Sequence, residues 1–138
     1  MRIFIDTNIV IDYLTNRVEE SPDAERLFQL SNFANVELVI TDLTIVNIAY
    51  ICRKVFSLNT IYDKLKLLSD IVTIIPIGER AIRLAIEART KDFEDAVQYY
   101  AARDYSCDFL ITRNSKDYIY SSIPVLTAKQ IVERLVKF

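Results

Sequence analysis

The sequence predicts an α/β fold, a three-layer α/β/α arrangement around a central parallel sheet of about five strands. Two observations predict it. Short runs rich in Ile and Val recur along the 138 residues. They are continuous rather than alternating, the pattern of strands covered on both faces. Longer segments with helical periodicity separate them, in the order β-α-α-β-α-α-β-α-α-β-(short α)-β-α. Such alternation argues parallel pairing with helices on both sides of one sheet. With 51% apolar residues and only four Gly and Pro together, the chain has little room for linkers or disorder, and residues 1–138 are expected to form a single domain.

The elements follow in order. Ile3–Ile5 is the first strand, and Asn8 to Leu14 a short first helix. Ser21 as N-cap and Pro22 at the first helical position open a second helix through Ala24, Leu27 and Phe28. Leu38–Ile40 is the second strand. Thr41 or Asp42 then opens a helix through Leu43, Val46 and Tyr50. A helix from about Asn59 to Ser69 leads to the strand Val72–Ile75. Gly78 precedes a helix over Glu79–Arg89, with Ala81, Leu84, Ala85 and Ala88 on one stripe. Asp92 is a good N-cap for Phe93–Arg103. Phe109–Ile111 is the fourth strand, followed by a short helix capped by Asn114 or Ser115, and Val125–Leu126 is the fifth. Thr127 caps the last helix, whose inner face carries Ala128, Ile131, Val132 and Leu135.

Composition excludes several chemistries. The chain has no histidine, so Ser-His-Asp and Cys-His catalysis, HExxH metalloproteases and the commonest zinc sites are ruled out. Cys52 and Cys107 lie on unrelated segments without ligand spacing, as expected of reduced thiols in a cytosolic fold. Met1–Asp6 meets an acid before any secretory core could form, and no apolar run reaches the length of a membrane span. The expectation is a cytoplasmic protein with no membrane partner. The net charge of −2 is not the basic footprint of phosphate neutralisation. A nucleic-acid substrate would have to be held locally, or through a cation on acidic groups. Arg80, Arg83, Arg89 and Lys91 offer a local basic rim, or simply a solvated helix face.

In parallel α/β sheets, ligands bind beyond the carboxyl ends of the strands, so polar residues there are the candidates. Asp6-Thr7-Asn8 directly follows the first strand, although all three types also cap helices. A haloacid-dehalogenase-type phosphatase would need a second Asp where Asn8 stands, and the set of acids and a Lys that a receiver domain needs is absent. Asp92-Phe93-Glu94-Asp95 is the second cluster. Capping explains Asp92, and the helix dipole favours acids in a first turn. Three acids in four positions repel one another, and a cation would relieve that. The small residues Ala96, Ala101 and Ala102 let this helix approach the sheet, bringing Asp95 near Asp6. Thr112-Arg113-Asn114-Ser115-Lys116-Asp117 follows the fourth strand, where Asp117 is either a first-turn acid or part of a site. Asn47 shares a stripe with Leu43, Tyr50 and Ile51, and is either a satisfied core amide or a residue lining the site.

These pieces together resemble the PIN-domain family, and within it toxins of the VapC type. The resemblance covers nearly the whole chain. It rests on Ile5-Asp6-Thr7-Asn8, Thr41-Asp42-Leu43-Thr44, Phe93-Glu94-Asp95-Ala96 and Leu110-Ile111-Thr112-Arg113-Asn114. It implies a PIN-like fold and a Mg²⁺- or Mn²⁺-dependent ribonuclease acting on single-stranded RNA, the toxin half of a toxin–antitoxin pair. The family's first acid falls on Asp6, its third on Asp95 with Glu94 beside it, and its fourth on Asn114 or Asp117. Its second, usually a Glu, falls on Asn47. An amide can ligate Mg²⁺ but brings no charge, which counts against tight binding of a second ion.

The chemistry expected is a hard cation on oxygen ligands, held by one or two carboxylates and completed by substrate phosphate. Asp6 and Asp95 meet that minimum, with Asp117 as the third carboxylate. Thr7 and Thr112 would orient the carboxylates through their hydroxyls, and Arg113 would contact phosphate. Two other readings stand beside it. Asn47 and Asn114 favour a weak or inactive PIN-like module that binds RNA or protein, and Asp6 as a nucleophile would make a phosphatase-like hydrolase. Surplus apolar residues at Ile45, Ile48, Tyr50, Tyr99, Tyr100 and Tyr105 point either to a thick core or to partners, a second copy of the chain or a docked antitoxin.

Overall fold

The computed structural model describes residues 1–16, 19 and 21–136. Its first strand, β1 (Arg2–Ile5), lies at the centre of a five-stranded sheet. The chain runs from β1 through α1 (Thr7–Thr15) and α2 (Ser21–Gln29) to β2 (Glu37–Thr41). It continues through α3 (Asp42–Cys52) and α4 (Leu58–Ile71) to β3 (Thr73–Ile75) at one edge. Helices α5 (Gly78–Ala88) and α6 (Phe93–Asp104) then return it to β4 (Phe109–Ile111) on the other side of β1. A 3₁₀ turn at Ser115–Tyr118 leads to β5 (Val125–Leu126), and α7 (Ala128–Leu135) follows. The strand order is β3-β2-β1-β4-β5, and every pairing is parallel.

The continuous apolar runs have the cause the sequence indicated. Along β1 the side chains alternate between two layers of helices. Ile3 and Ile5 pack with Val10 of α1, Leu27 of α2, Ile48 of α3, Leu68 of α4 and Ile131 of α7. Phe4 packs on the other face with Ala81 of α5 and with Tyr99, Ala101 and Ala102 of α6. All three β1 residues are fully buried, each worth roughly 1.5–3 kcal/mol relative to exposure.

Helix starts are fixed by local hydrogen bonds. The Thr41, Ser57, Asp92 and Thr127 side chains accept from the backbone N–H three residues on, and Thr127 with Gln130 completes a capping box. Helix α2 begins at Ser21 itself, one residue earlier than the sequence indicated. Its hydroxyl donates to the Asp12 carbonyl at 3.0 Å, so α1 supplies the acceptor. Helix α4 starts at Leu58 and runs to Ile71, so Val72 ends the helix instead of starting β3. Much of the surplus apolar surface is core. Ile48 and Tyr99 are buried, Ile45, Tyr100 and Tyr105 partly so, and Tyr50 alone of the six is exposed. Cys52 and Cys107 are buried thiols, and burial pushes the Cys107 thiol up to about 12, which leaves it unreactive.

Candidate functional site

The chain leaves β1 toward β2 on one side and returns to β4 on the other, so the switch point of the sheet lies between β1 and β4. At their carboxyl ends is a recess lined by Asp6, Asn8, Asn47, Glu94, Asp95 and Asp117, with Asp92 and Tyr50 at its edge. Four separate elements supply these side chains.

Asp6 follows β1, and its N–H donates to the Ile111 carbonyl at 2.9 Å, extending the β1–β4 ladder by one residue. It stands at the N-cap position of α1, yet its carboxylate makes no capping bond. That carboxylate is buried and accepts from the Thr112 hydroxyl at 2.9 Å across the switch point. Burial raises its pKa, the Thr112 bond works in the opposite direction, and the Glu94 charge raises it further. Capping therefore does not explain Asp6. It does explain Asp92, whose carboxylate accepts from the Asp95 N–H at 3.0 Å.

Asp95 stands in the first turn of α6, half-buried and beside Asp6. Burial, then the charges of Asp6 and Asp92, raise its pKa from 3.8 to about 7. The small residues place it there: Ala96, Ala101 and Ala102 are buried, and α6 lies close against the sheet. Glu94 points the other way round the rim, where its carboxylate accepts from the Asn47 amide at 3.0 Å. Asn47 thus has its partner at the edge of the recess rather than in the core.

The remaining candidates separate. Asp117, on the 3₁₀ turn, lies near enough to Asp95 to raise its pKa. Asn114 is not among the residues lining the recess. Its side chain caps the turn by accepting from the Lys116 N–H at 3.2 Å, and it donates to Asp117 at 3.4 Å. Arg113 turns toward a different cleft, with its Nε 3.4 Å from the buried Asp12 carboxylate. Thr7 borders the recess and its backbone N–H supports the Asp6 carboxylate, but its hydroxyl turns away. Its hydroxyl bonds that of Thr44 at 2.9 Å, inside the protein. Arg80 and Arg83 are paired with Asp104 and Glu79, both at 3.0 Å, so half of the basic rim is already neutralised.

Two features were not singled out from the sequence. The first is a buried polar network beneath the recess. Thr41 donates to Gln98 at 2.8 Å, Gln98 donates to Thr44 at 3.1 Å, and Thr44 bonds Thr7. Thr7 adjoins Asp6, Thr44 lies one turn before Asn47, and Gln98 one turn after Asp95. The network locks together the three elements that carry those residues. Its sequence signal was Gln98, a polar residue three positions from Asp95 between Val97 and Tyr99. The second is Tyr118, fully buried, with its hydroxyl next to Asp6 and Asp95. Burial and those two charges push its phenol pKa far up, so it remains a proton donor.

Every ligating side chain in the recess offers oxygen. Among the described residues no three Asp, Glu or Cys side chains converge into a closed metal cage. Asp6 and Asp95 instead form an open pair whose mutual repulsion a cation would cancel. That suits Mg²⁺ or Mn²⁺, which one or two carboxylates and substrate oxygens commonly hold.

Comparison with known proteins agrees with the fold. Among curated proteins, Ribonuclease VapC1 of Aquifex aeolicus (strain VF5) is 31% identical over 96% of this chain and 94% of its own. Several solved structures share the fold. One is a toxin-antitoxin complex from Klebsiella pneumoniae, with TM-score 0.67, 23% identity, and coverage of 91% of this chain and 97% of that one. Another is Mycobacterium tuberculosis VapC20, described as a Sarcin-Ricin loop cleaving toxin, with TM-score 0.69, 14% identity and coverage of 86% and 94%. The family model for the PIN domain matches residues 2–116, and with these carboxylates gathered at the switch point of this sheet, the chain belongs to the PIN-domain family.

Proposed function

We propose that this protein is an endoribonuclease that cuts single-stranded RNA with the help of Mg²⁺ or Mn²⁺ held by Asp6 and Asp95. The observation that carries the reading is the pairing of these two acids, 89 positions apart in sequence, with Asp95 pushed up to about 7. Carboxylates displaced this far from their ordinary range concentrate at functional sites. The similar Aquifex aeolicus protein is a ribonuclease by name, which supports the reaction class.

When bound there, the ion would acidify a water and shield the charge that gathers on the scissile phosphate. The chain's own residues supply the rest. Thr112 fixes the Asp6 carboxylate through its hydroxyl. Asp117 adds a third acid on a turn whose N-cap is Asn114. Asn47 and Glu94 form a polar edge of the recess. The buried Thr7–Thr44–Gln98–Thr41 network holds the three elements in register, so that the carboxylates need not reorganise as substrate arrives.

The partners this reading implies are RNA, an antitoxin protein that covers the recess, and a second copy of the chain. Exposed Val46 and Phe93 line an apolar groove of about 580 Å³ beside the recess, a surface that suits protein contact. No helix among the described residues is long and apolar enough to cross a membrane, and the reading places residues 1–138 as one domain in the cytoplasm.

The test is cleavage of a single-stranded RNA by purified protein. Activity should require Mg²⁺ or Mn²⁺, stop with chelator, and disappear in Asp6→Asn and in Asp95→Asn proteins that remain folded. Full activity in both variants would refute it. One observation favours a second reading, a non-catalytic RNA-binding module. Asn47 brings no charge to the recess, and its amide N–H is held by Glu94. RNA binding without Mn²⁺ binding at millimolar metal would establish that reading instead.

A further inference from the structure

Several donors around the recess are already assigned. Thr112 donates to Asp6, Asn47 to Glu94, and Asn114 to Asp117. Among the described residues, the Asp95 carboxylate accepts no side-chain hydrogen bond of full geometry, and two buried hydroxyls, those of Tyr118 and Tyr120, have no acceptor. Of the two, the Tyr118 hydroxyl is the one placed to hydrogen-bond Asp95 and Asp6, although neither bond reaches full geometry. A buried hydroxyl left in that state is costly, and native structures rarely keep one without a reason.

The Tyr118 ring has little freedom to look elsewhere. It is 2% exposed and packs in the layer formed by Phe4, Tyr99, Ala102 and Ile123. Tyr120 leans against it with ring centroids 6.2 Å apart. The 3₁₀ turn Ser115–Tyr118 sets its backbone, and that same turn carries Asp117. The hydroxyl therefore faces the carboxylate pair from below, inside the protein, opposite the open side where RNA would enter.

We propose that Tyr118 is a positioning residue for the metal site, and that its hydroxyl donates to the Asp95 carboxylate when a divalent cation is bound. Thr112 already does the same for Asp6. Each ligand would then have one oxygen turned to the ion and one held by a buried hydroxyl. Hydrogen bonds of this kind set ligand orientation, and removing one commonly lowers metal affinity about tenfold or more. The inference rests on the proposed Asp6–Asp95 metal site.

Mn²⁺ titration calorimetry on the wild type, Tyr118→Phe and Tyr99→Phe tests it. Tyr118→Phe should raise the Mn²⁺ Kd about tenfold while the metal-free protein melts no lower than wild type, because the lost hydroxyl made no hydrogen bond of full geometry. Tyr99→Phe removes a hydroxyl from the same aromatic cluster that bonds Ser122 at 2.9 Å. It should melt lower with its Mn²⁺ affinity unchanged. RNA cleavage by Tyr118→Phe at saturating metal should show a lower kcat at an unaltered KM. A measurement that does not depend on how the variant folds is the near-ultraviolet difference spectrum of the wild type on adding Mg²⁺, where a buried-tyrosine band should shift and saturate with the metal.

An Mn²⁺ Kd within twofold of wild type in Tyr118→Phe, or no tyrosine band shift in the wild type, overturns this inference and leaves the nuclease reading standing. No Mn²⁺ binding by the wild type overturns both.

Discussion

Asp95→Asn should stabilise the metal-free protein while destroying its metal response. In the folded chain the Asp95 pKa stands near 7, against 3.8 for an ordinary Asp, mainly through burial and then the charges of Asp6 and Asp92. The native state therefore holds that proton more tightly than the unfolded chain does. The stability this gives is complete below about pH 4 and is lost as pH rises toward 7. Above 7 the native state carries an ionised carboxylate in a place that resists it. Counted at about 1.4 kcal/mol per pH unit, the shift would amount to about 4 kcal/mol. Solvent reaches half of this side chain and screens it, so a realistic cost is about 1–2 kcal/mol. For a chain of this size that corresponds to about 3–8 °C in Tm. Melting curves in EDTA at pH 8 should show Asp95→Asn above wild type by that margin, and at pH 5 by clearly less. Adding Mn²⁺ at pH 8 should raise the wild-type Tm and leave the variant unmoved. An Asp95→Asn protein that melts at or below wild type in EDTA at pH 8 would refute the argument that the two carboxylates repel across the recess.

Other perturbations separate the roles of neighbouring residues. Gln98→Leu breaks the buried network and leaves threonine hydroxyls short of partners, which should cost about 2–4 kcal/mol by denaturant titration; an unchanged midpoint would show that the network braces nothing. Arg113→Ala should lose about 1–3 kcal/mol of stability through its ion pair with Asp12, with kcat for RNA staying within about threefold, because Arg113 faces another cleft. A large fall in kcat would place it on the substrate after all. Asn47→Glu replaces an amide bond to Glu94 with repulsion, so the metal-free protein should melt lower. The added charge should tighten Mn²⁺ binding by about tenfold or more, measured by calorimetry.

Much of the fold was legible because its signals are local. The Ile/Val runs became strands since each is covered by helices on both faces, and Thr41, Asp92 and Thr127 announced helix starts through bonds only three residues long. Boundaries slipped where the determinant was distant: Ser21 begins α2 with help from the Asp12 carbonyl nine positions away. The recess was legible in part, because strand ends in a parallel sheet converge by topology, and Asp6, Asp95, Glu94, Asn47 and Asp117 do line it. The supporting side chains were less so. A threonine after Asp6 can turn to the carboxylates or to the interior, and only the packing of α3 against α1 turns Thr7 to Thr44. Arg113 goes to Asp12 because α1 offers a buried carboxylate within reach. Tyr118 was hidden by its setting, since a tyrosine after Lys116-Asp117 in a short turn has no periodicity to show that it points inward.

The most direct measurement is a crystal of the wild-type protein soaked in Mn²⁺ and read for anomalous scattering. Density between the Asp6 and Asp95 carboxylates, with oxygen ligands and none from Asn114 or Arg113, is the predicted result. A well-occupied Mn²⁺ elsewhere, with these two carboxylates left without one, would contradict the assignment of the recess as the metal site.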